Sequence, residues 1–171
     1  YMFLIINIFG VLSSVLLIIT IVVLVITPIF VFVFAPGFYA ETIKKELATD
    51  ILRITFPYLF FVSLVALSGS IMNTYGKFSV PALTPVFYNL VLVCTGIWIA
   101  PLYDLPVYAI AWGMFGAGCI QRLIHIYPLL NLGLLPKFSL NLMHPGVRKV
   151  IYLMIPGIIA GGVSQLNMLV D

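Results

Sequence analysis

Charge is what this sequence has least of. Only 8% of its 171 residues are Asp, Glu, Lys or Arg, against roughly 25% in an average soluble domain. Eight basic and five acidic side chains cannot coat a water-exposed fold of this length, which takes about a quarter to a third of its surface from charged residues. A soluble globular domain is excluded, and lipid is the expected solvent. Disorder is excluded too, because disordered chains are poor in apolar residues, whereas here 63% are hydrophobic and the mean hydropathy is +1.23. The net charge of +3 is scattered and builds no basic face interleaved with aromatics, so no nucleic-acid partner is expected.

Cysteine is nearly as scarce. Cys94 and Cys119 lie inside separate apolar runs, which leaves no CxxC redox pair and no metal-ligand spacing. They are expected to be small core residues. His125 and His144 have no Cys, Asp or Glu at ligand spacing, and they are expected near one membrane interface. The acids fall mostly in loops, so no carboxylate pair can be set in a cleft for acid and base work. A GxxxxGK[ST] phosphate loop is lacking as well. The expectation is a protein with no catalytic residues, no metal and no cofactor, driven by a gradient, the membrane potential or a partner.

What is present is a set of long charge-free runs: Tyr1–Ala40, Ile54–Gly76, Phe78–Tyr103, Leu105–Gln121 and Val150–Val170. A helix needs about 20 apolar residues to cross ~30 Å of hydrocarbon. Five crossings follow, and the fold class is an all-α polytopic transmembrane helix bundle. The runs are continuous rather than alternating, which argues against a transmembrane barrel. Pro28 and Ala35-Pro36-Gly37 mark the expected exit of the first span. The fourth run is short, and Arg122 is expected to snorkel so that the helix continues through Ile126. The chain opens on Tyr1 without the layout of a signal peptide and closes on Asp171 directly after an apolar run. It is expected to be a piece of something longer.

The charges between the runs sort by side. If the chain alternates, one face carries Lys44, Lys45 and Arg53 against Glu41, Glu46, Asp50 and Asp104, a net of −1. The other carries Lys77, Arg122, Lys137, Arg148 and Lys149 with no acid, a net of +5. Short loops rich in Lys and Arg stay in the cytoplasm, which puts the Tyr1 end inside. The basic connection Asn131–Lys149 reads as a linker, and its stretch Phe138–Met143 either lies on the inner leaflet or touches the bundle as a simple loop.

Several residues stand out within the runs. Pro81, Pro85 and Asn89 fall four apart on one helical face. The two prolines are helix-kink candidates, since each removes a backbone hydrogen bond; the alternative is that they mark where a helix enters the membrane. Asn89 needs a partner, from a neighbouring helix or from substrate. Ala109, Gly113 and Ala117, like Gly157 and Gly161, recur at the spacing that lets helices approach closely. Ser164, Gln165 and Asn167 follow Pro156, Gly157, Gly161 and Gly162 as polar groups at membrane depth, where such groups face a bundle interior or a wet cavity. Asp171 is either an intramembrane acid or the cap of its helix at the outer surface. Asn89, Gln165 and Asp171 are the candidate contacts to a substrate cavity.

The stretch Phe56-Pro57-Tyr58-Leu59-Phe60-Phe61, continuing through Ser70 to Pro85 and Asn89, resembles the MurJ/MviN family. These are bacterial lipid II flippases of the multidrug/oligosaccharidyl-lipid/polysaccharide exporter superfamily. Ala35-Pro36-Gly37-Phe38 is similar to that family's outer loop after its third helix, and Pro156-Gly157 with Ser164-Gln165 to its seventh helix. The resemblance implies an alternating-access transporter of about fourteen helices in two lobes, of which this chain supplies the third to most of the seventh. Residues 1–130 would be four helices of the first lobe, 131–149 the cytoplasmic inter-lobe linker, and 150–171 the first helix of the second lobe.

The implied substrate is undecaprenyl-pyrophosphate-linked peptidoglycan precursor, moved from the inner to the outer leaflet of the cytoplasmic membrane. The implied partners are that lipid, membrane lipids and the remainder of the same transporter chain. The family's pyrophosphate-holding arginines lie mainly in its first, second and eighth helices, so neither Arg53 nor Arg122 inherits that role. Alternative readings are a related exporter of drugs or O-antigen lipids, a membrane-embedded enzyme acting on polyprenyl lipids, and a non-transporting structural subunit.

Overall fold

The computed structural model describes residues 2–35, 37 and 41–134, and beyond them positions 145, 148, 149, 152, 153, 155–157, 159–161 and 163. Every regular element among them is helical. The chain divides into two compact units, Val15–Leu135 and Tyr1–Ser14 with Pro136–Asp171. Of the latter, the start of the first helix and several helical positions between 148 and 163 are described.

Four helical stretches among the described residues are long and apolar enough to cross a membrane. Helix α1 covers Met2–Phe34, running on through Pro28 and stopping just before Ala35. Helix α2 (Thr42–Thr55) leads into α3 (Pro57–Thr74) with Phe56 between them still in right-handed helical conformation. The joint has a local cause: Phe56 donates its N–H to the Leu52 carbonyl at 2.8 Å, but Pro57 has no N–H to continue the ladder and so begins a new helix at the position proline tolerates best. Helix α4 covers Ser79–Cys94, passes into a π-helical segment Thr95–Ile99 and a 3₁₀ turn Ala100–Leu102, and α5 covers Pro106–Asn131.

One expectation is revised, and two segments lie beyond what the structure describes. The charged segment Glu41–Arg53, read as a connection, is mostly helical and extends the second span to Thr42–Thr74, joined to α3 through the helical Phe56. The fifth run, Val150–Val170, lies largely outside the described residues, as does the linker Phe138–Met143.

Helices α3 and α5 end alike. Gly76 and Gly133 both take positive φ, 71° and 69°. Beyond them Lys77 donates its N–H to the Met72 carbonyl at 2.8 Å and Leu134 to the Leu129 carbonyl at 2.9 Å. This Schellman arrangement satisfies carbonyls that a helix end would otherwise leave bare. Around the bundle the outward positions are apolar: Val25 is 72% exposed and Leu90 55%, and α4 buries no residue among those described. Such faces are stable against hydrocarbon and not against water.

Candidate functional site

The close packing of α5 explains how a polar site is built in so apolar a chain. The predicted stripe Ala109, Gly113 and Ala117 is buried, and the same four-residue step continues through Gln121, His125 and Leu129, all buried. A four-residue step advances about 40° beyond a full turn, so the stripe winds around α5 and meets different neighbours. A Cβ on Gly113 would stand 2.7 Å from the Thr95 side chain in the π segment, and one on Gly118 2.9 Å from the Tyr58 ring of α3. These glycines let α5 press between the neighbouring helices, and its longer polar side chains then reach both of them.

Gln121 donates its Nε2 to the Thr84 backbone carbonyl of α4 at 3.0 Å. His125 Nε2 lies 2.7 Å from Thr84 Oγ1, and Thr84 Oγ1 donates to the Val80 carbonyl at 2.9 Å. A threonine has one hydroxyl proton. Thr84 thus stands between the Val80 carbonyl and His125 Nε2, and which of the two takes its proton sets the tautomer of the His125 ring. Toward α3, Arg122 Nη1 donates to Ser68 Oγ at 3.1 Å, and Ser68 donates to the Leu64 carbonyl at 2.6 Å. Arg122 therefore turns to a neighbouring helix, where the sequence reading lets it snorkel to the interface.

Beside this network, an open cleft of about 410 Å³ lies among α3, α4 and α5. Its apolar walls include Val62, Val65, Ala66, Pro81 and Pro85, and its polar wall is formed by Ser70, Asn73, Thr84, Gln121 and His125. Tyr58 and Tyr88 also line it, with ring centroids 5.3 Å apart. Gln121 is 4% exposed and His125 1%, yet Gln121 Oε1 and His125 Nδ1 have no hydrogen-bond partner among the described residues. Both atoms are enclosed by the protein itself, and leaving such a buried polar atom without a bond costs about 1–3 kcal/mol.

The sequence candidates are distributed unevenly around it. Pro81 and Pro85 line the cleft. Pro81 occupies the first turn of α4, where the missing N–H has no helical partner to lose, and the helix continues unbroken through Pro85; the departure from α geometry comes later, at Thr95–Ile99. Asn89 is exposed on α4 and does not line the cleft. Gln165 and Asp171 lie outside the described residues. Gln121 and His125 are the site residues that the sequence reading passed over. The signal was available: both extend the four-residue step of small residues already noted on α5.

Four apolar spans, three of them packed through small residues around a polar cleft, define a multi-pass α-helical membrane protein. A sequence model of the lipid II flippase MurJ family matches residues 2–171, and the chain belongs to that family. It is 36% identical over 145 residues to the lipid II flippase MurJ of Burkholderia cenocepacia, covering 82% of this chain and 28% of the relative. It is 42% identical over 128 residues to the probable lipid II flippase MurJ of Vibrio cholerae, covering 75% and 24%. With the corresponding protein of Haemophilus influenzae it shares 38% identity over 169 residues, covering 95% and 33%. The chain thus spans about a quarter to a third of the length of these relatives.

Proposed function

We propose that this chain is part of a transporter that flips lipid II, the undecaprenyl-pyrophosphate-linked peptidoglycan precursor, from the inner to the outer leaflet of the bacterial cytoplasmic membrane by alternating access. The observation that carries the reading is the family match across residues 2–171, joined to spans that hold a polar cleft inside a lipid-facing bundle. The relatives are named for flipping a lipid, which supports transport without a covalent step. In this reading residues 1–130 belong to the first lobe, 131–149 to the cytoplasmic linker and 150–171 to the opening helix of the second lobe. The excess of Lys and Arg at Lys77 and from Arg122 to Lys149 supports a cytoplasmic Tyr1 end.

The head group needs polar surface along its path, and Asn89, Gln165 and Asp171 are proposed to supply part of it. For Asn89 the support is its exposure on a membrane-spanning helix, where an amide is costly unless it meets protein, water or cargo. For Gln165 and Asp171 the support is their place at the end of an apolar run. The test is depletion of the intact protein. Lipid II should accumulate in the inner leaflet, and undiminished delivery to the outer leaflet, in cells with no other flippase, would reject the assignment.

A further inference from the structure

We propose that the cleft among α3, α4 and α5 seats one acyl chain of a membrane phospholipid. The inference needs only the membrane setting and holds whatever cargo the protein carries. Along α3 the lining runs as one helical stripe, Tyr58, Val62, Ala66, Ser70 and Asn73, of which Ala66, Ser70 and Asn73 are exposed. The cleft is therefore a groove open to the surrounding chains. Gln121 Oε1 and His125 Nδ1 are enclosed by the protein itself, so an occupant meets the apolar walls rather than these atoms. The Tyr58 and Tyr88 rings, 5.3 Å apart, close one end. The other end is polar, with Ser70 and Asn73 in the lining and the exposed Lys77 just beyond.

The class of occupant follows from width and polarity. From Tyr58 to Asn73 α3 rises about 22 Å, and a volume of about 410 Å³ over that length leaves a section of roughly 20 Å², against about 80 Å² for a helix ~10 Å across. A whole helix does not enter, whereas a single hydrocarbon chain does. Water would lack the polar partners that an ordered site needs, since the Ser70 hydroxyl already donates to the Ala66 carbonyl. An empty groove would forfeit the dispersion contacts of its walls, and in a bilayer the material at hand is hydrocarbon. A linear acyl chain is narrower than a polyprenyl chain with its methyl branches, which favours a phospholipid over the tail of the cargo. The polar end then has a use. With the chain lying between Val62, Ala66 and Pro85, the ester and phosphate come to the end where Asn73 can donate and Lys77 can reach, its ammonium staying at the interface as long basic side chains do.

The experiment is photo-crosslinking of the full-length protein in nanodiscs doped with phosphatidylethanolamine that carries a diazirine on one acyl chain, either beside the ester or at the far end, with the marked residues read by mass spectrometry. The first probe should mark Ser70 and Asn73, and the second Val62 and Tyr88. Ala66→Trp fills the groove from an exposed position and should abolish both sets of marks. Leu90→Trp, on the opposite face of α4 and 55% exposed, should leave them. Should Ala66→Trp fail to fold, the order of the two sets of marks along the wild-type groove still decides. Marks no stronger in the groove than at Leu90, or marks that survive Ala66→Trp, overturn the site and show ordinary contact with the bilayer. A groove that neither probe marks also overturns it, and assigns the cover to a helix from elsewhere in the protein. Marking by a diazirine-bearing undecaprenyl phosphate in place of the phospholipid overturns it in favour of the cargo's tail.

Discussion

The Thr84 hydroxyl and the His125 imidazole meet at 2.7 Å, 41 residues apart in sequence, and join the first half of α4 to the last third of α5. This contact sits on a chain of bonds that begins at the Val80 carbonyl and ends at an unpartnered ring nitrogen. Double-mutant cycles with Thr84→Val and His125→Phe should give a coupling of about 0.6 kcal/mol and no more than ~1.7, the range found for interhelical hydrogen bonds in membranes. Reversible unfolding of the full-length protein in lipid or detergent measures it. Strict additivity of the two substitutions would show that the pair does not hold α4 to α5.

Glycine positions on α5 should divide sharply by their surroundings. A Cβ at Gly113 would sit 2.7 Å from both Thr95 Oγ1 and Cγ2, whereas at Gly116 it would meet nothing within 4 Å. Gly113→Ala should destabilise by about 1–3 kcal/mol through overpacking. Gly116→Ala should be neutral or stabilising by up to ~1 kcal/mol, because alanine is the better helix former. Thermal unfolding of the two variants, side by side, decides the point.

The helix stops at Gly76 and Gly133 depend on positive φ. Replacing either with Ala forces a Cβ into the left-handed region at about 1–2 kcal/mol. Open space around Gly76 means that no steric crowding contributes there. Gly76→Asn should recover part of the loss, since Asn tolerates this conformation better than Ala. Equal stability of the Ala and Gly forms would show that the chain ends α3 differently.

Reporter fusions after Tyr39 and after Lys137 should fall on opposite sides of the membrane, with the Lys137 fusion in the cytoplasm. The expected orientation follows from the excess of Lys and Arg in the short loops. Neutralising Lys77, Arg148 and Lys149 together should therefore produce a mixed population. Both reporters in one compartment would contradict the arrangement of the spans.

The fold class was legible because it depends on one-dimensional quantities: the length of a charge-free run, the position of the next proline or glycine, and the spacing of small residues. The first four runs appear as spans, and Ala109, Gly113 and Ala117 are buried as their spacing predicts. The reading went astray where a neighbour decides. Arg122 has the length to reach the interface, but Ser68 on α3 lies within hydrogen-bond reach, and no local pattern reveals this. The segment from Thr42 to Arg53 carries the charges of a loop, yet it is helical and runs directly into α3 through Phe56.

The sequence by itself determined that the solvent is lipid, that the chain crosses it as helices, and where those helices turn, because run length and backbone chemistry are properties of consecutive residues. Only the tertiary structure decided that Gln121 and His125 form one wall of a cleft. Their burial and their bonds to Thr84 arise from how closely α5 approaches α3 and α4, a distance set by glycines and side chains far apart in the chain.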